Sequence, residues 1–269
     1  MAAASLAVSL LLTACHVLTP TSRLLVMATA LVPLALVGYV VAVAGSWAVR
    51  RLSAPGRARS AATAALTASL VGVLAQIGLA LPSYAGSHAS GPPDLTVMTS
   101  NLHLGLGDTR AVAAIARHED ADVVVLEEVT PTEMQTLAGM RGSYPYVAGG
   151  AAPWAYGTVV LSRFPLSEVL QLHVSKGAWL MRVAAPRAFW LVAVHTAQPL
   201  TAYPDWAPDH DAVLAAVRRL DGPLVLAGDF NATLDHRPMR QLLAAGLSDA
   251  ARQSNAGWQA TWPADERSG

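Results

Sequence analysis

The chain has 269 residues, 53% of them hydrophobic and 13% charged, with a mean hydropathy of +0.39. That is too apolar for a water-soluble domain alone and calls for membrane segments. Five of the 18 Lys+Arg residues (Arg23, Arg50, Arg51, Arg57, Arg59) precede Ser83, leaving 13 against all 18 Asp+Glu, a formal balance of −5 in the remainder. Such a part is a poor non-specific nucleic-acid binder by electrostatics alone, yet it can accept a phosphate diester where a divalent cation supplies local positive charge.

The apolar excess sits at the N-terminus. Residues 24–49 contain no charge, and a helix of that length, rising about 1.5 Å per residue, crosses a hydrocarbon core of about 30 Å. Residues 61–81 form a second uncharged run stopped by Pro82, and residues 2–18 a shorter one that contains Thr13, Cys15 and His16. A secretory signal is the competing reading of residues 2–18, but a basic start is missing and two more apolar runs follow. The sequence thus predicts an anchor over residues 1–82 with three spans, 2–18, 24–49 and 61–81.

Four arginines crowd the turn between the second and third runs, against Arg23 alone in the other short loop. By the positive-inside rule that turn is cytoplasmic, which puts everything after about Pro82 outside the cytoplasm. The expected location is the cell membrane, multi-pass. Cys15 is the one cysteine and falls within the first run, so the exported part has no disulfide even though its compartment would permit one. Residues 83–93, rich in Gly, Ser and Pro, read as a linker, and 94–269 as a single domain.

Within that domain, short apolar runs rich in β-branched residues predict strands at 95–100, 123–126, 158–161, 179–184, 190–194 and 224–227. Amphipathic patterns predict helices at 109–118, 131–140, 209–220 and 238–245. Some strands are joined through a helix and others directly. This mixture points to an α/β class fold, two packed sheets with outer helices.

Four of the runs end on a residue able to bind metal or phosphate: Asn101, the pair Glu127-Glu128, His195, and Asp229 with Asn231. Singly, each has a plain structural reading, as a turn residue, a solvated strand end, a satisfied core histidine or an Asx turn. Converging, they would make a site of carboxylates, amides and one imidazole. Such hard oxygen donors suit Mg²⁺ or Mn²⁺ rather than zinc.

In order along the chain, Thr99-Ser100-Asn101-Leu102, Leu126-Glu127-Glu128-Val129, Leu161-Ser162-Arg163-Phe164-Pro165, Val194-His195-Thr196 and Gly228-Asp229-Phe230-Asn231 resemble successive motifs of the endonuclease/exonuclease/phosphatase superfamily. The resemblance implies a four-layer α/β sandwich that cleaves phosphate esters with a divalent metal. It implies Glu128 and Asn101 at the metal, Asp229 as the group that orients and deprotonates water, Asn231 on the phosphate, and His195 assisting the phosphate or the leaving oxygen. Glu127 stands where many members have Gln. Pancreatic-type deoxyribonucleases pair the histidine with a Glu on a preceding segment, and residues 143–161 contain no acid, which weakens the DNA-cleaving branch.

Members usually end with an Ile-Asp-His-type strand and a Ser-Asp-His motif, and neither is found before Gly269. Asp235-His236 imitates the latter but follows Asn231 too closely, and it reads as a loop and helix start. A fragment, or a variant that has lost catalysis, is expected on this ground. The resulting reading is a membrane-anchored, extracytoplasmic, Mg²⁺- or Mn²⁺-dependent phosphoesterase. Its substrate is a nucleic-acid, phospholipid or small phosphodiester, its N-terminal helices sit in a lipid bilayer, and no protein partner is predicted. The alternative is a catalytically inactive tethered binding or scaffold module of the same fold.

Overall fold

A computed structural model describes residues 1–87 and 94–262. The chain forms two compact units, one from Met1–Ser90 with Ala232–Gly269 and the other from Gly91–Asn231.

The first unit opens with α1 (Ala2–Leu18), α2 (Arg23–Thr29), α3 (Ala35–Leu52) and α4 (Arg57–Ala80). Two stretches are long and apolar enough to cross a membrane, Val32–Leu52 and Arg57–Tyr84; α1 and α2, bent by 102°, add a third if taken as one span. The expected helix over 24–49 is therefore broken: its first turns form α2, and the long helix starts only after a 3-10 turn at Val32–Leu34. Pro33 explains the break, because it lacks an N–H and its ring clashes with the carbonyl four residues back.

The bundle buries several polar side chains and exposes many aliphatic ones. Its buried positions include Ser9, Tyr39, Ser46, Ser69 and Gln76, while Leu10, Leu11, Val37, Val40, Leu70, Val71 and Leu74 are exposed. Gln76 Nε2 donates to Thr13 Oγ1 at 3.0 Å, and Thr13 Oγ1 lies 3.0 Å from Tyr39 Oη. One helix each supplies these three side chains, so α1, α3 and α4 are joined by polar contacts of the kind that hold helices together in lipid. Small residues allow the close approach: a Cβ on Gly72 of α4 would lie 2.3 Å from the Tyr39 ring of α3.

The second unit holds two four-stranded mixed sheets. In the first, β1 (Val97–Asn101), β2 (Val123–Glu127), β3 (Tyr146–Gly150) and β4 (Thr158–Ser162) lie in the order β1-β2-β4-β3. In the second, β5 (Leu166–Leu172), β6 (Gly177–Val183), β7 (Phe189–His195) and β8 (Leu224–Asp229) follow chain order. Strand alternation divides the core into two layers. Val124, Leu126, Val159 and Leu161 pack with Ala113 and Ala116 of α5 (Thr109–His118) and Leu137 of α6 (Pro131–Leu137). Val123, Val125 and Val160 face the second sheet and meet Met181, Leu191, Ala193 and Ala227. Each such fully buried aliphatic chain contributes about 1.5–3 kcal/mol.

Helix α7 (Tyr203–Val217) buries Trp206, Asp209, Val213 and Val217 and makes contacts with β5. The unit is thus the expected α/β sandwich of two sheets with helices outside. Two strands are additions to the sequence reading, β3 and β5, and α7 begins six residues before the expected 209.

After Asn231 the chain returns to the first unit through α8 (Arg237–Ala244) and α9 (Ala250–Gln253). Polar contacts tie this stretch of the expected 94–269 domain to the N-terminal helices. His16 Nδ1 lies 2.8 Å from Asp235 Oδ1, and Arg240 donates to the Asp235 carbonyl. His236 Nδ1 accepts from the Thr233 N–H at 2.9 Å, which places the ring proton on Nε2, 2.9 Å from the Val26 carbonyl it serves. Asp235-His236 is indeed a loop and helix start, with Pro238 in the first turn of α8. Of the expected linker, Ser83 is buried and the Ser87 N–H donates to Gln253 O, so residues 83–87 are packed chain; residues 88–93 lie outside the described residues.

A side chain at Gly72 must push α3 and α4 apart. Gly72→Val is expected to cost about 1–3 kcal/mol, read as a lower thermal midpoint of the detergent-solubilised chain. Gly78→Val, where a Cβ meets nothing within 4 Å, should leave the midpoint in place; equal midpoints would remove this crossing as a constraint.

Candidate functional site

The site residues all belong to the second unit, at the ends of strands from both sheets. Asn101 closes β1 and pairs in register with Glu127, the last residue of β2. His195 closes β7 and pairs with Asp229, the last residue of β8. The parallel registers therefore carry two polar ends forward together in each sheet.

Asn101 joins the sheets. Its Nδ2 donates to Glu128 Oε1 at 3.1 Å and to Asp229 Oδ2 at 3.0 Å, while its Oδ1 accepts from the His103 N–H at 2.8 Å. Glu128 Oε2 also accepts from the Leu104 N–H at 2.7 Å, and His195 Nε2 stands 3.7 Å from Glu128 Oε1. That separation is an ion-pair distance, too long for a hydrogen bond. Asp229 Oδ1 receives the Asn231 N–H at 2.8 Å, forming an Asx turn. Asn231 Nδ2 donates to Thr196 O at 2.9 Å, and its carbonyl accepts from Trp206 Nε1 at 3.0 Å. All five expected residues, Asn101, Glu128, His195, Asp229 and Asn231, are thus brought together.

Backbone geometry aims them. Gly228 adopts φ 139°, and a Cβ there would sit 2.0 Å from the Val194 carbonyl, so only glycine lets β8 run this close to β7. Glu128 at φ 58° and Asn231 at φ 46° occupy the left-handed region without being glycine, at a cost of about 1–3 kcal/mol each. In Glu128 that twist sets its carboxylate toward Asn101 and His195 rather than along the strand.

The neighbouring acid has the opposite fate. Glu127 is 1% exposed and accepts from Thr99 Oγ1 at 3.1 Å. Burial, reinforced by the Asp229 charge, pushes its carboxyl well above the ordinary carboxylate range. A neutral carboxylic acid has the shape and donor-acceptor pattern of a primary amide. This accounts for Glu at a place where relatives of the suggested superfamily carry Gln. His195, also 1% exposed, is pulled down by burial, with Asp229 and Glu128 opposing, and its Nδ1 is a buried atom without a hydrogen-bond partner.

Sequence reasoning missed Asp209. From α7 its carboxylate accepts the Ser175 N–H at 2.9 Å, Ser175 Oγ at 2.6 Å and the Ala197 N–H at 2.7 Å. It thereby pins the loops on both sides of the Gly177–His195 pair. An Asp behind Pro208 inside an apolar helix carries no local signal of that role.

Carboxylates dominate the site, which is suited to a hard cation. Glu128 has the exposure and setting of a ligand. Asn101 turns its nitrogen toward Glu128, so its oxygen would reach a cation only after an amide flip. Among the described residues no three His, Cys, Asp or Glu side chains stand close enough to hold a metal by themselves. Mg²⁺ and Mn²⁺ commonly bind through one or two carboxylates, with water and phosphate oxygens completing the shell.

The Glu127 carboxyl sets a pH dependence. The folded state binds the extra proton, so its contribution to stability is full below the unfolded value of 4.5 and is lost as pH rises through the elevated folded value. Glu127→Gln should therefore match wild type in acid and become progressively more stable than it toward alkaline pH, read as thermal midpoints across a pH series. A constant difference at every pH would show that Glu127 is ionised when folded.

Comparison with known proteins gives one family match and several structural likenesses. No curated protein is similar enough to count as a relative. Among solved structures, a humanized D. rerio TDP2 is 17% identical over 58% of this chain and 68% of that one, with a TM-score of 0.46. A 3'-5' exonuclease from Neisseria meningitidis is 18% identical over 59% and 73%, TM-score 0.44. An endonuclease/exonuclease/phosphatase family protein from Bacteroides thetaiotaomicron is 14% identical over 56% and 67%, TM-score 0.42. The chain spans 57% of a truncated Caenorhabditis elegans TDP2. Residues 98–269, well over half of the sequence, match the Endonuclease/Exonuclease/phosphatase family, and the chain belongs to that family.

Proposed function

We propose that the protein is a membrane-anchored phosphodiesterase dependent on Mg²⁺ or Mn²⁺, with its hydrolytic part outside the cytoplasm. The observation that carries this reading is the Asn101 amide, hydrogen-bonded at once to Glu128 and Asp229. It concentrates two carboxylates where one can hold a cation and the other can face water. When bound, the cation would supply charge neutralisation at the phosphate and polarise the P–O bond.

Glu128, with the Asn101 amide beside it, would hold that cation. Asp229 would take a proton from the attacking water, its second oxygen fixed by the Asn231 N–H. Asn231 and His195 would contact phosphate oxygens as charge develops on them. Anchoring is supported by the helix bundle, which exposes many valine and leucine side chains. Orientation is supported by Arg50, Arg51, Arg57 and Arg59 flanking one turn.

A silent tethered module is the second reading, favoured by Glu128, whose two oxygens are already engaged by the Asn101 amide and the Leu104 N–H. Two measurements separate the readings. Calorimetry of the full chain with Mn²⁺ is expected to show one site that Glu128→Ala abolishes. Hydrolysis of bis-p-nitrophenyl phosphate should stop with a chelator and fall about 10²–10⁴-fold in Asp229→Asn. Heat without turnover would leave the silent module, and neither would leave no metal chemistry.

A further inference from the structure

The fold leaves four large apolar side chains in solvent beside the site. Leu104 and Leu106 are 42% and 72% exposed, Trp154 and Tyr156 73% and 52%. They sit in and just after two 3-10 turns, His103–Gly105 behind β1 and Trp154–Tyr156 ahead of β4, which contact each other. Both turns adjoin the site. The Leu104 N–H is hydrogen-bonded to Glu128. The Lys176 Nζ lies 4.9 Å from the Tyr156 ring centre, one residue before the Gly177 that pairs with His195. Single exposed leucines are ordinary, but a cluster of this kind beside a functional carboxylate marks an interaction surface.

We propose that Leu104, Leu106, Trp154 and Tyr156 seat in the headgroup layer of a bilayer, and that the substrate is a phospholipid whose phosphodiester is presented there. The proposal rests on the phosphodiesterase reading above. Three observations favour lipid over a nucleic-acid strand. The exported part has a formal balance of −5, where a polyanion would need a cationic groove. The rim mixes aliphatic chains with Trp and Tyr, the aromatic residues that settle at headgroup depth. The same chain carries helices long and apolar enough to cross a membrane, which would keep a bilayer surface at high effective concentration.

The full chain is reconstituted in nanodiscs of phosphatidylcholine and phosphatidylglycerol with Mg²⁺, and headgroup release is compared with hydrolysis of bis-p-nitrophenyl phosphate and of single-stranded DNA. In Leu106→Ser/Trp154→Ser, both sites being exposed, headgroup release should fall about tenfold, the effect of losing two apolar contacts with lipid, while the soluble diester is cleaved as before. Independently of activity, brominated lipid should quench a fluorescence component present in wild type and absent from Trp154→Phe. A loss shared by both substrates, a loss confined to DNA, or an unquenched Trp154 overturns the proposal. A wild type inert on every substrate defeats the phosphodiesterase reading and the lipid-substrate claim with it, and the quenching then decides the seating of the rim.

Discussion

One side-chain amide holds the site together. Asn101 ends a strand of the first sheet, yet its two N–H groups reach Glu128 at the end of that sheet's β2 and Asp229 at the end of the second sheet's β8. Hydrogen bonds to charged acceptors contribute about 1.5–3 kcal/mol each, and here they also offset the mutual repulsion of two carboxylates. The packing of the sheets therefore has an electrostatic endpoint as well as an apolar interior. Val123, Val125 and Val160 bring the sheets face to face, and the amide fixes what their ends do.

Adjacent acids at the end of β2 show how little separates structure from chemistry. Glu127 follows the strand's alternation into a closed interior, where burial pushes its carboxyl well above the ordinary carboxylate range. Glu128 leaves the strand in a left-handed conformation and sets its carboxyl 3.7 Å from His195 Nε2. A single peptide unit divides a core residue from a candidate cation ligand. The strain stored at Glu128 and Asn231 is what such a division requires, since relaxed extended backbone would send both side chains elsewhere.

Much of this was legible in the sequence because each site residue terminates an apolar run, and a buried strand has few ways to end. What escaped had physical reasons. β3 carries Gly149 and Gly150, and β5 is largely exposed with an irregularity between Ser167 and Leu170, so neither shows the apolar pattern of a central strand. The Tyr203-Pro204-Asp205 start of α7 resembles a loop until Pro204 is placed in the first turn, where proline belongs. Pro33 was a visible break in an apolar run whose length alone suggested continuity. Asp209 acts across two loops, and no local pattern encodes a partner 34 residues away.

The docking of the chain after Asn231 onto the N-terminal helices bears on how the molecule can be divided. His236 is 2% exposed, with Nε2 committed to a carbonyl of α2, and Asp235 is matched to His16. Removing the helices would take the Val26 carbonyl from His236 Nε2 and His16 from Asp235. The N-terminal segment is in this sense part of a packed interior. A boundary drawn where the hydropathy falls would cut through a packed unit, in which His16 and the Val26 carbonyl are hydrogen-bonded to residues more than two hundred positions along the chain.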